Sequence, residues 1–390
     1  MNLIPKTTQT LIHRSLRFSL FWHTLPFQRN KENSTPIYKT IFTKPIKKSV
    51  HLWLLCGFNL LFQICGASFS TVRMVYALAI VGFDHVPIID LGLVTYQSVG
   101  FGVNAIILTL IWWKDDEFRG LLNLLVTPSR RNKVQTAAKD TFSRLIPWVI
   151  PAVYGQSMCN SFLFVKRRDS VQYVWGLLDP DWKNKYTLGF ISVYEFLIPM
   201  NSWNVALFVF FTYSSYTHFV GIHLKKLGEF QSTMRNPPSS GKVCRNYAMS
   251  YRQLQITTNL HHACFGEYVI PLAVTVLLFL DSWMTFATFK LAKSPLISIS
   301  EPSFFIFPLG TFALFIVAFC FNGAGLLLFE ESTRLVEEYE KSRMMRRTRL
   351  CQSLKPLKAQ VGSFYYFKKI SLLLFASNVV GLTINLLLTF

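Results

Sequence analysis

ISLLLFASNVVGLTINLLLTF, residues Ile370 to Phe390, runs for 21 residues without a charge or a proline. At about 1.5 Å per residue a helix of that length is about 31 Å long, the thickness of a bilayer's hydrocarbon core. Its polar side chains are ordered. Ser371, Asn378 and Asn385 recur every seven residues and Thr389 follows four later. At about 100° per residue all four fall within about 40° on one helical face. A membrane helix with one such stripe either lines water or bonds a neighbouring helix through it. The rest of the chain reads as machinery that holds several copies of this helix together.

The whole composition agrees with a membrane protein. Of 390 residues, 51% are hydrophobic, 15% are charged and 36 are Phe, and mean hydropathy is +0.32. Apolar runs of spanning length are expected at about 51–71, 91–113, 145–165, 186–223, 265–289, 303–329 and 370–390. The fourth is far longer than a bilayer needs and is expected to continue into the cytosol as helix. Pro147 and Pro151 predict a kinked start to the third. EFRGLLNLLVTP, in the polar loop after the second, reads as a short membrane-surface helix. LIHRSLRFSLFW, Leu11 to Trp22, is a basic amphipathic segment suited to the membrane face. No cleavable signal peptide opens the chain, so the first span is expected to serve as the insertion signal.

The formal charge of +20 follows the topology. With the N-terminus inside, the inner segments hold 30 Lys and Arg and the outer loops 8. This asymmetry places the N-terminus in the cytoplasm and the C-terminus outside. No nucleic-acid-binding motif accompanies the basic residues, so no nucleic acid partner is implied. The orientation is opposite to that of a G-protein-coupled receptor, and the last span lacks Asn-Pro-x-x-Tyr. The expected architecture is an all-α membrane protein of seven transmembrane helices. It divides into a basic cytoplasmic segment (1–50), a six-helix ligand-binding region (51–329), cytoplasmic anchor helices (330–361) and a pore-lining seventh helix (362–390).

An inverted seven-span chain with an overlong fourth segment and its longest loops inside resembles the arthropod gustatory and odorant receptor superfamily. Gly362-Ser363-Phe364, at the mouth of the last helix, looks like the family's Gly-x-Phe, and the run stops on Phe390 as gustatory receptors often do. The family signature in that helix is Thr-Tyr, five apolar residues, then Gln-Phe. Here it reads Leu382-Thr383, then Ile384 to Leu388 interrupted by Asn385, then Thr389-Phe390; only the Phe matches strictly. Thr389 stands where the family has Gln and keeps a hydroxyl without the amide. The resemblance implies a tetrameric, ligand-gated, non-selective cation channel in the plasma membrane, opened by a small-molecule tastant. The last helices would surround the pore, a cytoplasmic anchor would join the subunits, and the ligand would enter from outside among the second, third, fourth and sixth spans. Membrane lipid, permeant cations and other subunits, identical or not, are its implied partners. A non-conducting scaffold or accessory subunit of the same fold is the rival reading, favoured by the eroded signature.

The candidate pore residues are Ser371, Asn378, Asn385, Thr389 and Phe390. From the residues alone, interhelical hydrogen bonding is the favoured explanation of the stripe; the resemblance tips Asn385 and Thr389 toward pore lining. The candidate ligand residues are Tyr96, Gln97, Tyr154, Gln156, Asn160, Tyr194, Glu195 and Phe304, which supply rings and hydrogen-bonding groups in an otherwise apolar setting. Glu195 and Asp281 are ionisable inside expected spans, where a charge is expensive and needs either a structural partner or a function. His261 and His262 beside Cys264 do not form a metal site: adjacent helical positions point about 100° apart and no second ligand pair accompanies them. The seven cysteines include no CxxC pair and read as small buried hydrophobes or free thiols. No nucleophile–base motif, P-loop or dinucleotide fingerprint is present, so neither an enzyme nor a cofactor is expected. Matching half-repeats, the mark of a secondary transporter, are also missing.

Overall fold

A computed structural model describes residues 27–32, 35–40, 50–81, 86–126, 155, 157–169, 173–233, 241–293, 303–341, 354–363 and 365–389. The elements are a hairpin of β1 (Phe27–Glu32) and β2 (Thr35–Thr40), then α1 (Val50–Tyr76), α2 (Ile88–Trp113), α3 (Asp115–Val126) and α4 (157–166). After these come α5 (Lys185–Thr233), α6 (Gly241–His261), α7 (Val269–Lys293), α8 (Ser303–Lys341), a short hairpin of β3 (Gln360–Val361) and β4 (Tyr365–Tyr366), and α9 (Lys369–Thr389). The segment Leu11–Trp22 lies outside the described residues.

Among the described residues, six helices are long and apolar enough to cross a membrane: α1, α2, α5, α7, α8 and α9. The overlong fourth segment is a single 49-residue helix, α5. It is the axis of the bundle, with 82% of its most apolar stretch buried, against 17% for α9. α9 leans on α7 and touches α8 lightly, through Phe375, Val379 and Thr383 on one face.

The main core lies at the end of the bundle where α3 and α6 pack, here called the base. Phe118, Leu121 and Leu122 of α3 are fully buried there. The helix expected on the membrane surface therefore drives its apolar side into the protein, against α5 and α6. Tyr213 of α5 stacks on Phe321 of α8 at 4.0 Å, and Tyr216 stacks on His261 at 3.7 Å. Each fully buried large apolar side chain stabilises by roughly 1.5–3 kcal/mol relative to exposure to water. His261 is neutral: burial, with the neighbouring His262, pushes it down to about 3.

The stretch 354–367 was expected to continue as helix. It is instead an extended strap and a hairpin, and the cause is visible in its partners. The Leu357 amide donates to Ser332 Oγ at 2.9 Å, and that hydroxyl also lies 3.2 Å from the Leu357 carbonyl. Tyr251 Oη and Gln255 Nε2 both donate to the Lys355 carbonyl. Pro356 lacks an amide donor, and these side chains from α6 and α8 satisfy the strap's backbone in place of a helical ladder. α8 itself runs unbroken through residues 329 and 330.

Gly362 turns the hairpin with φ 61°, a conformation glycine adopts without a steric penalty. Its amide donates to the Gly266 carbonyl at 2.6 Å. Gly325 is required for another reason. A Cβ there would clash with the Phe367 ring and sit 2.9 Å from Tyr213 Oη. The residue that leads into α9 is thus seated against the backbone of α8.

Candidate functional site

Between the base and the opposite end, here called the top, the bundle interior is unusually polar. The inward face of α1 is Cys56, Asn59, Gln63, Gly66 and Ser70, a seam of small and polar residues spaced three and four apart. It packs on α2, where Thr95, Gln97, Ser98 and Asn104 are buried. Thr71 and Ser98 share a hydrogen bond at 2.6 Å, and Ser202 of α5 donates to Gln63 Oε1 at 2.8 Å. Asn59 and the amide nitrogens of Gln63 and Asn204 have no partner among the described residues. Buried amides of this kind are stabilised when water or a polar ligand completes them.

α4 and α5 meet at an ionisable group. Asn160 Nδ2 lies 3.1 Å from the Glu195 main-chain oxygen and 3.5 Å from its carboxylate. Glu195 is only 6% exposed. Tyr194 turns to the other side and meets Phe62 edge-on at 4.9 Å. At the rim, Arg167 reaches Asp90 at 3.1 Å and ties α4 to the start of α2.

The structure therefore brings Asn160 and Glu195 together, with Tyr194 beside them against α1. Gln97 is buried on α2, and Tyr96 packs with Leu93, Leu163, Met284 and Phe307, a separate cluster where α2, α4, α7 and α8 meet. Tyr154 and Gln156 lie outside the described residues, as does the side chain of Phe304. Asn59, Gln63, Ser202 and Asn204 escaped the sequence reading. Their signal was available in the spacing of Cys56, Asn59, Gln63, Gly66 and Ser70, but the run around it is apolar enough to hide it. Asp281 of α7 is 1% exposed, and neither carboxylate oxygen has a partner among the described residues.

The second surface is α9. Its packed residues Phe375, Val379 and Thr383 lie about 40° to 120° around the helix from Ser371 and Thr389, to one side of the polar stripe. Thr383 is held twice, by the Val379 carbonyl at 2.8 Å and the Ser282 carbonyl at 3.4 Å. Asn378, Asn385 and Thr389 are exposed in the single chain. Ser371 accepts the Lys368 amide at 3.0 Å and closes the first turn of the helix, the reciprocal half of a capping box. Thr389 donates to the Asn385 carbonyl at 2.8 Å. Phe390 lies outside the described residues.

No protein-family model matches the chain, and no curated protein does. Among solved structures it is similar to the insect olfactory receptor OR5 from Machilis hrabei in complex with eugenol. That match covers 98% of each chain at 15% identity, with a TM-score of 0.66. A further structure of the same receptor matches over 97% of each chain at 14% identity, with a TM-score of 0.63. The chain shares this all-helical, multi-span membrane fold over nearly its whole length.

Proposed function

We propose that this chain is a chemosensory receptor of the insect odorant and gustatory receptor superfamily, acting as a ligand-gated, non-selective cation channel and not as an enzyme. Four copies, identical or mixed, set their α9 helices around a central pore in the plasma membrane. A small-molecule tastant enters from outside, the base is cytoplasmic, and α4 belongs to a seventh span. The observation that carries this reading is α9. It is the least packed of the long helices, and its exposed side bears Asn378, Asn385 and Thr389. The full-length likeness to OR5, solved with eugenol bound, supports the same reading.

The polar top interior, with Gln97, Asn160, Tyr194 and Glu195, is the proposed ligand region. α5 runs from there to the base, where the 354–367 strap connects α6 and α8 to α9. A ligand that binds the open arrangement more tightly than the closed one shifts the population toward conduction. Amides and hydroxyls without a carboxylate ring discriminate weakly among cations.

Whole-cell recording from cells expressing the chain, during a screen of small organic tastants, tests the proposal. Ligand-dependent cation currents that reverse near zero millivolts are expected. A silent chain at normal surface density favours the second reading, an accessory subunit of the same fold. Thr389 favours that reading too, because its hydroxyl is turned back onto the Asn385 carbonyl.

A further inference from the structure

A cleft of about 390 Å³ opens at the base between the β3–β4 hairpin and the π-helical turn His262–Gly266. Its position is set by two membrane helices. α7 becomes apolar at Val269 and α9 at Ile370, so the cleft lies where hydrocarbon gives way to headgroups. The lining is rich in donors: the Lys358 ammonium, the Ser363 hydroxyl, the Gln360 amide and two tyrosines. Lys358 and Lys368 stand over the Tyr366 ring, at 4.5 and 4.6 Å from its centroid. Neither lysine has a carboxylate partner among the described residues.

The single acid in the lining, Glu267, is already neutralised. Lys114 contacts its carboxylate at 2.7 Å and the Ala263 carbonyl at 2.8 Å. That bond holds the Glu267 carboxyl below its usual range, so it stays ionised and bound to Lys114. His262 Nδ1, buried at the back of the cleft, has no hydrogen-bond partner among the described residues. Its ring lies over Gly266, where any Cβ would clash with it. The cleft thus combines the Lys358 ammonium, placed over an aromatic ring, with neutral donors at headgroup depth, and Lys368 stands nearby over the same ring. Tracts that are purely surface-basic lack this concavity and ring.

We propose that this cleft binds the phosphate of an anionic phospholipid headgroup of the inner leaflet, held by Lys358 and oriented by Ser363 and Gln360. Bound there, the lipid touches the hairpin that Gly362 joins to the Gly266 carbonyl, immediately before α9 begins. The assignment rests on the cytoplasmic base of the proposed receptor reading and does not require the chain to conduct.

The test uses the purified full chain in phosphatidylcholine nanodiscs and a short-chain fluorescent phosphatidylinositol bisphosphate, read by anisotropy. Saturable binding is expected, weakened about tenfold by Lys358→Gln, kept by Lys358→Arg and unchanged by Lys225→Gln on the exposed side of α5. Soluble inositol trisphosphate should compete much more weakly than unlabelled lipid. Equal competition would overturn the lipid assignment in favour of a free phosphate ligand. Absence of saturable binding, or parent-like binding by a folded Lys358→Gln chain, would overturn the site itself.

Discussion

Asn160 donates one side-chain amide to two oxygens of Glu195, the main-chain carbonyl at 3.1 Å and carboxylate Oε2 at 3.5 Å. The carbonyl is free to accept because of Pro199, which lies inside α5 and has no N–H to return to the residue four before it. A gap in the ladder of one helix is thus filled by a side chain of another. Asn160→Leu is expected to lower stability by about 1–3 kcal/mol, the range for leaving a buried acceptor unmatched, read as a fall in melting temperature in detergent. In a Pro199→Ala background residue 199 regains its donor, so the same substitution should cost less. A double-mutant cycle with no coupling would contradict this relationship.

Gly325→Ala is expected to destabilise by about 1–3 kcal/mol, because its methyl meets the Phe367 ring and Tyr213 Oη in an already filled core. Thermal unfolding measures it. Adding Phe367→Leu should recover part of the loss, and no recovery would place the clash elsewhere.

His261 gives the base a pH dependence whose sign follows from burial. Its value falls from 6.5 in the ordinary state to about 3 when folded. The unfolded chain therefore binds the extra proton first as pH falls. The stabilising contribution is complete above about 6.5 and declines progressively toward about 3. His261→Phe keeps a ring against Tyr216 and removes the titration. Its melting temperature should fall less between pH 7.5 and pH 5 than the parent's. An equal fall would assign the dependence to other groups.

Much of this fold was legible in the sequence, and the reasons are particular. Helices such as α5 and α8 were readable because hydrocarbon length and charge asymmetry are written residue by residue. The last helix announced itself through Ser371, Asn378 and Asn385. The strap at 354–367 was not readable. Its shape depends on Ser332, Tyr251 and Gln255, which lie 25 to 104 residues away in sequence from the groups they hold. The α1 seam was present in the spacing but diluted by Leu and Phe. Glu195 was identified from its charge alone, whereas its pairing needed Pro199 to be read as a missing donor and Asn160 to be placed across from it.

Asp281 places two carboxylate oxygens in the bundle interior without donors among the described residues. Replacing such a group by an apolar one of similar size is often neutral or stabilising. Asp281→Leu is therefore expected to hold or raise the melting temperature. A large fall would show that Asp281 serves packing through a bond, and preserved stability with lost currents would assign it to function.

Asn385→Leu addresses the pore directly. If Asn385 faces the ion path, single-channel conductance or the ratio of sodium to potassium permeability should change while surface expression stays normal. Unchanged currents would assign Asn385 to helix packing.

The central claim is that α9 is incompletely packed because other copies of α9 complete its surroundings. Electron microscopy of the full chain purified in mild detergent measures this most directly. The expected result is a fourfold ring with the Lys369–Thr389 helices at its axis and Asn378 and Asn385 facing the lumen. A monomer or dimer, or a ring with α9 on its outer wall, would contradict it.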